Sequence, residues 1–225
     1  MNKIELVVFD MAGTVVNENN VVYKTLQKAI NKKGYLLTLD FVLEHGAGKE
    51  KLQAIKDILI VCDGHEQNKI AATIFKDFKK LLEKAYQNLD VSSYEGVEDL
   101  IASFMVKNIK IALNTGYDRN TAQLLLDKMK WKQGIHYDTL VTADDVKRGR
   151  PNPDMIFEAM DILQVTDPSK VLKAGDSIID IQEGKNAKCG ITVGVTTGAH
   201  TREQLMSANP TYVLDSLTEL KEYLF

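Results

Sequence analysis

With 225 residues, 44% hydrophobic and 26% charged, the chain can bury the core of one large domain or two small ones, and its composition is that of an ordinary soluble globular protein. Lys plus Arg number 28 and Asp plus Glu 31, for a net charge of -3, so no basic excess calls for nucleic acid or an anionic membrane as partner. No signal-peptide pattern is read at the start, and no apolar run approaches the roughly 20 residues that a membrane span needs.

The run IELVVF at 4–9 predicts a buried strand. From 17 to 90 the patterns are helical throughout. YKTLQKAINKKG has helical spacing and stops at Gly34; KEKLQAIKDILIVC and KIAATIFKDFKKLLEKAYQNL follow. The charge run KDFKKLLEK reads as a solvated helix face. The polar stretches NENN and NLDVSSYEG read as linkers on either side of this block. Strands are predicted again at 109–113, 138–141, 170–174, 191–195 and 211–214, with helical patterns between them. NPDMIFEAMDIL places Ile156, Met160 and Leu163 at i, i+4 and i+7, with Pro153 near its first turn, and SLTELKEYL opens with a capping box of Ser216 and Glu219. Strands alternating with helices require crossover connections and a mostly parallel sheet. The expected fold class is therefore α/β: a Rossmann-like, mostly parallel core formed by 1–16 and 91–225, with an all-helical domain inserted at 17–90. The two cysteines, Cys62 and Cys189, stand in no metal-ligand spacing and read as small buried hydrophobes in a reducing compartment. The expected location is the cytoplasm. Trp131 and Tyr137 are read as packing residues, and His65, His136 and His200 as surface residues.

In an open parallel sheet the ligand lies beyond the carboxyl ends of the strands. That rule collects Asp10 after the first strand, Asn114, Thr115 and Gly116 after the second, and Asp176 after KVLKAG. Asp176 and Asp180, four apart, share one face of a first helical turn. With Asp10 they form a set of three hard oxygen ligands suited to Mg²⁺. The Thr115 hydroxyl and the Gly116 N–H suit phosphate oxygens, and Arg150 in GRPNPD supplies a fixed cation. These are the parts of phosphoryl transfer through an aspartyl-phosphate. Taken singly, each residue has a plainer reading as a turn former, a helix cap or a surface charge; their meeting at one sheet edge argues for a site. A receiver-type signalling module would also carry an Asp, a Thr and a cation, but it has no use for a large helical lid. A binding protein without activity is the other alternative.

DMAGTVV, LNTG, GRPNPD and GDSIID, in this order, resemble the four motifs of the haloacid dehalogenase superfamily. The resemblance covers essentially the whole chain. It implies that the helical insert is a type 1 cap and that Asp10 is the nucleophile. It implies that Mg²⁺ is held by Asp10, the backbone carbonyl of Ala12 and Asp176, with Asp180 joining directly or through water. Thr115 then binds the phosphoryl group, Arg150 stabilises its charge, and Gly13, Thr14, Asn114 and Gly116 contact substrate. The implied partner is a small phosphorylated or phosphonylated metabolite, and the protein is expected to be a monomer or homodimer.

Most phosphatases of the superfamily carry a second Asp where this chain has Ala12. That acid protonates the leaving oxygen, and losing such a group costs about 10²- to 10⁴-fold in rate. One branch, the phosphonoacetaldehyde hydrolases, is similar over DMAGT, NTGYDR, VTADDVKRGRPNP and GDSIIDIQEGKNA. There a cap lysine forms a Schiff base with the substrate aldehyde, so that carbon leaves phosphorus as an enamine. The corresponding candidate is Lys49, in HGAGKEKL; its other reading is a cation that binds substrate. That branch has a histidine three residues after the lysine, where this chain has Leu52. His45, four residues before Lys49, is the candidate substitute, and with its neighbour Gly46 it is assigned to substrate binding. Asn20 and Tyr23 are further candidates for substrate contact.

Overall fold

The computed structural model describes residues 3–224. The chain opens with β1 (Leu6–Asp10) and β2 (Val16–Asn17), then runs through four consecutive helices, α1 (Val21–Asn31), α2 (Leu39–Gly46), α3 (Lys51–Asp63) and α4 (Asn68–Gln87). It returns through β3 (Ser92–Ser93) and α5 (Val97–Val106) to β4 (Lys110–Thr115), α6 (Arg119–Met129) and β5 (Thr139–Thr142). The remainder alternates α7 (Asp154–Ile162), β6 (Val171–Gly175), α8 (Ile178–Asn186), β7 (Ile191–Val195), α9 (Arg202–Ser207), β8 (Tyr212–Leu214) and α10 (Leu220–Leu224).

Six strands form one sheet in the order β5-β4-β1-β6-β7-β8, and every pairing in it is parallel. β1 is central and buried on both faces, which is why it reads as a continuous apolar run rather than an alternating one. The period of two still shows in where its side chains go. Val7 and Phe9 join one apolar cluster, and Leu6 and Val8 join the cluster on the other face with Ile156 and Met160 of α7. The first cluster continues without a break into the helical insert, through Leu26, Ile30, Ile55, Ile58 and Phe78.

Several elements differ from the expectations. β1 and β4 extend into the polar residues Asp10, Asn114 and Thr115, because parallel pairing continues to Asp10↔Asn114. The two linkers are not simple loops: β2 and β3 pair antiparallel through Val16↔Ser93 and Asn17↔Ser92, a ribbon at the base of the insert. α2 had no clear signal; Thr38 caps it, its hydroxyl accepting from Phe41 N at 3.2 Å. The capping box of Ser216 and Glu219 starts a 3-10 turn that leads into α10 rather than one uniform helix.

Three predicted side-chain settings are corrected. Cys62 is exposed in the last turn of α3, although it lies on the same helix face as Ile55, Ile58 and Leu59, and Cys189 is only partly buried. His200 is buried: its Nδ1 accepts from Ile178 N at 3.0 Å while Nε2 lies 3.3 Å from Leu43 O, so the ring joins α8 to α2. Trp131 and Tyr137 are buried, as expected.

Candidate active site

β4, β1 and β6 lie side by side, so their carboxyl ends bring Asn114–Thr115, Asp10 and Gly175–Asp176 to one edge. α8 starts there, with Ser177 as its N-cap and Asp180 in its first turn. Ser177 Oγ donates to Asp180 Oδ2 at 2.5 Å and fixes that carboxylate. Arg150 reaches the same place from the loop before α7, with its side chain 1% exposed.

The result is a buried ion cluster. Arg150 Nη1 lies 2.7 Å from Asp10 Oδ1 and 3.0 Å from Asp180 Oδ1. Its Nη2 donates at 2.7 Å to both the backbone and the side-chain oxygen of Asn114. Its Nε stands 3.1 Å from Glu183 Oε2, a charge contact too poorly aligned to be a hydrogen bond. A second cation, Lys173, donates to Asn114 Oδ1 at 2.6 Å and lies 2.9 Å from Asp180 Oδ1 and 3.3 Å from Glu183 Oε2. Asn114 completes the net by donating to Glu183 at 3.0 Å.

The charges do not balance. Among the described residues Asp10, Asp180 and Glu183 share two ion-paired cations, Arg150 and Lys173, and Asp176 is paired with neither. Burial raises the Asp10 carboxyl, with Arg150 offsetting part of the rise. Burial also raises Asp176 far above the usual carboxylate range, and the like charges of Asp10 and Asp180 push the same way. Burial would raise Asp180 too, but Arg150 and Lys173 outweigh it and hold its carboxyl low. Asp180 Oδ1 is ion-paired with both cations but has no well-aligned hydrogen bond. Oxygens of Asp10, Asp176 and Asp180 all lie within 4.8 Å of one another, so the cluster fits a divalent metal ion. Asp176 is seated by close backbone: a Cβ on Gly13 or Gly198 would stand 2.2 or 1.9 Å from its Oδ2, and Gly13 holds a φ of +87°.

A family model for haloacid dehalogenase-like hydrolases matches residues 7–196. The chain belongs to the haloacid dehalogenase-like hydrolases. It is 30% identical to a phosphonoacetaldehyde hydrolase of Bacteroides fragilis, over 98% of this chain and 95% of that protein. It is 31% identical to one from Bacillus cereus, over 88% of this chain and 77% of that one. Among solved structures, a phosphonoacetaldehyde hydrolase like protein from Oleispira antarctica superposes with a TM-score of 0.84 at 22% identity, over 99% of this chain and 92% of that one. A hydrolase from Pseudomonas syringae gives 0.84 at 20%, over 98% and 97%. These two share the fold.

In this haloacid dehalogenase-like hydrolase the predicted residues divide into two groups. Asp10, Asn114, Thr115, Arg150, Asp176 and Asp180 come together, with Gly13 packed on Asp176. Thr115 is buried and its Oγ1 accepts from Tyr117 N at 3.3 Å. Thr14 is buried beside them with a hydroxyl that has no partner, and Ala12 lies in the turn after β1. Gly116 lies under the insert, where a Cβ would be 2.9 Å from Lys49 O. His45, Gly46 and the Lys49 amine are not brought into the cluster. The His45 ring stands edge-on to Phe41 at 4.4 Å, and Gly46 packs against Ile58 and Ala54 inside the insert. Lys49 Nζ pairs with Asp57 Oδ2 at 2.6 Å and is partly exposed.

Three residues were not singled out in the sequence. Lys173 carried a signal, a lone charge inside the buried strand VLKAG. Glu183 carried a weaker one, three residues after Asp180 on the same helix face. Lys51 stood two residues after Lys49 at the start of the helical pattern KEKLQAIKDILIVC, with nothing to set it apart. Its residue is 7% exposed, and its amine lies over the rings of Tyr23 and Tyr117 at 5.2 and 5.3 Å.

Among the described residues no helix is long and apolar enough to cross a membrane.

Proposed function

We propose that this hydrolase is a Mg²⁺-dependent phosphohydrolase that works through an aspartyl-phosphate on Asp10, with a small phosphorylated or phosphonylated metabolite as substrate. Residues 17–90 act as its cap. The carrying observation is the ion cluster: a nucleophile whose Oδ1 is fixed by Arg150, beside a buried Asp176 carboxylate that has no ion-pair partner among the described residues. Arg150 orients Asp10 so that Oδ2 faces the incoming phosphorus; among the described residues no donor is bonded to that oxygen. Thr115 and the Gly116 N–H lie at the edge where phosphoryl oxygens would rest. Asp10, the Ala12 carbonyl, Asp176 and Asp180 would hold the metal, which supplies charge neutralisation on the transferring group. The test is phosphate release from a panel of small phosphate esters and phosphonates in Mg²⁺. Turnover is expected with at least one class and is lost in Asp10→Asn.

A second reading is C–P cleavage of phosphonoacetaldehyde through a Schiff base on Lys49. It is favoured by Ala12 and by the relatives named phosphonoacetaldehyde hydrolase. Lys49 would first have to leave Asp57. Borohydride added during turnover of phosphonoacetaldehyde would trap a mass adduct on Lys49 under this reading, and none under the first.

A further inference from the structure

Lys51 is a buried cap amine close to the Thr115–Gly116 turn: it bonds to Lys49 O, the atom on which Gly116 packs. It opens α3, yet its side chain runs into the seam between the cap and the sheet rather than out to water. Its ammonium has three N–H donors, and one bonds to Lys49 O at 2.7 Å. The ring faces of Tyr23, from the cap, and Tyr117, from the core, flank it. Tyr117 is in turn held by the Tyr86 hydroxyl at 3.1 Å, and Tyr86 donates to Glu18 at 3.3 Å.

Lys51, Tyr86, Gly116 and Tyr117 line a cleft of about 710 Å³ that continues between α4 and the start of α6, past Phe75 and Leu124. A phosphoryl group at Asp10 and Thr115 would leave the organic part of its substrate to enter this cleft beside Lys51. The charged groups acting on the amine are Asp10, Glu50, Arg150 and Glu18. Burial lowers its proton affinity and Arg150 adds to that, while the three carboxylates oppose it; the net shift is downward. None of the three forms an ion pair with it. An ammonium of this kind gives up a proton more readily than one on the surface.

We propose that Lys51 is a catalytic residue whose ammonium protonates the leaving oxygen of a phosphate monoester, the task for which Ala12 has no acid. The proposal rests on the phosphohydrolase reading above. In the first half, Asp10 attacks phosphorus and the ester P–O bond breaks with its electron pair on oxygen. That oxygen takes a proton from Lys51, giving the free alcohol and a neutral amine. In the second half, water attacks the phosphorus of the aspartyl-phosphate. Its hydroxyl goes to phosphorus, its proton returns to the Lys51 amine, and the Asp10 carboxylate departs.

The test uses the full chain with Mg²⁺ and a series of aryl and alkyl phosphates graded in leaving-group acidity. Phosphoryl transfer is timed in single turnovers for wild type, Lys51→Met and Lys51→Arg, with circular dichroism to confirm folding. Esters with poor leaving groups are expected to slow by about 10²-fold or more in both variants, whereas nitrophenyl phosphate stays within a few-fold of wild type. Arg keeps the charge but does not release its proton, so it should not rescue the poor leaving groups. Equal slowing across the series, or rescue by Arg, overturns the proposal and leaves Lys51 as a binding or packing cation. Should Lys51→Met fail to fold, Lys51→Arg alone still decides between these outcomes. A wild type that hydrolyses no ester overturns the phosphohydrolase reading, and the proposal with it. A borohydride adduct on Lys51 with phosphonoacetaldehyde, without ester hydrolysis, replaces it with C–P chemistry.

Discussion

Lys173 and Arg150 carry the energetic risk of the site. Ions taken out of water lose several kcal/mol of hydration each, and only well-placed partners recover it. Both cations share Asp180, Glu183 and Asn114, so no single pair is independent. Replacing Lys173 by Met leaves Asp180 and Glu183 with Arg150 alone. The expected loss is about 3 kcal/mol of stability in urea unfolding, and a loss below about 1 kcal/mol would show that Arg150 suffices. Glu18 gives a pH signature. Burial pushes its carboxyl up to about 7, against the hydrogen bond from Val22 N, the Tyr86 hydroxyl and the charge of Lys51. The folded chain therefore binds this proton more tightly than the unfolded one. The stability that follows is whole below about 4.5 and is lost as pH rises through about 7. Glu18→Gln should gain on wild type by on the order of 2 kcal/mol across that window, measured by urea unfolding at several pH values; a constant difference would contradict it. At this scale the sequence revealed the acids and Arg150 because each ends a strand or starts a motif. It concealed Lys51, because nothing in HGAGKEKL says which of two lysines a helix start turns inward.

The seating of helices on the sheet depends on two glycines. A Cβ on Gly48, at a φ of +76°, would lie 2.4 Å from Ser177 Oγ, and one on Gly116 would lie 2.9 Å from Lys49 O and 3.2 Å from Gly48 O. The loop before α3 thus rests directly on the turns after β4 and β6. Backbone oxygens cannot swing aside as a long side chain can, so Gly116→Ala should lift this loop. Displacement near 1 Å at a reacting centre costs about 10²-fold, so kcat/KM should fall by about that factor with the fold retained. Unchanged steady-state kinetics would show that the contact is dispensable. Strands were the most legible elements, because burial on both faces writes them as apolar runs. The β2–β3 ribbon was not legible: two residues per strand, Val16–Asn17 and Ser92–Ser93, are too few to show a period, and only tertiary pairing defines them.

Across the whole molecule, one apolar cluster joins the sheet to the four helices of the insert, while a second fills the opposite face beneath α7. The acidic site lies at the seam that the first cluster brings together. Its excess of carboxylates predicts loss of activity in excess chelator and recovery with Mg²⁺, followed by phosphate release; full activity in protein shown metal-free by elemental analysis would contradict this. The order of the motifs along the chain made this site legible. The individual contacts that seat the insert were not, because those such as Tyr86 with Tyr117 join residues far apart in sequence. The central claim is that Asp10 carries the phosphoryl group. The most direct measurement is a rapid acid quench of a single turnover with radiolabelled substrate, followed by peptide mapping. The account predicts protein-bound, hydroxylamine-labile phosphate on the peptide containing Asp10, dependent on Mg²⁺ and absent from Asp10→Asn. Phosphate on another residue, or complete turnover with no protein-bound label at any quench time, would contradict it.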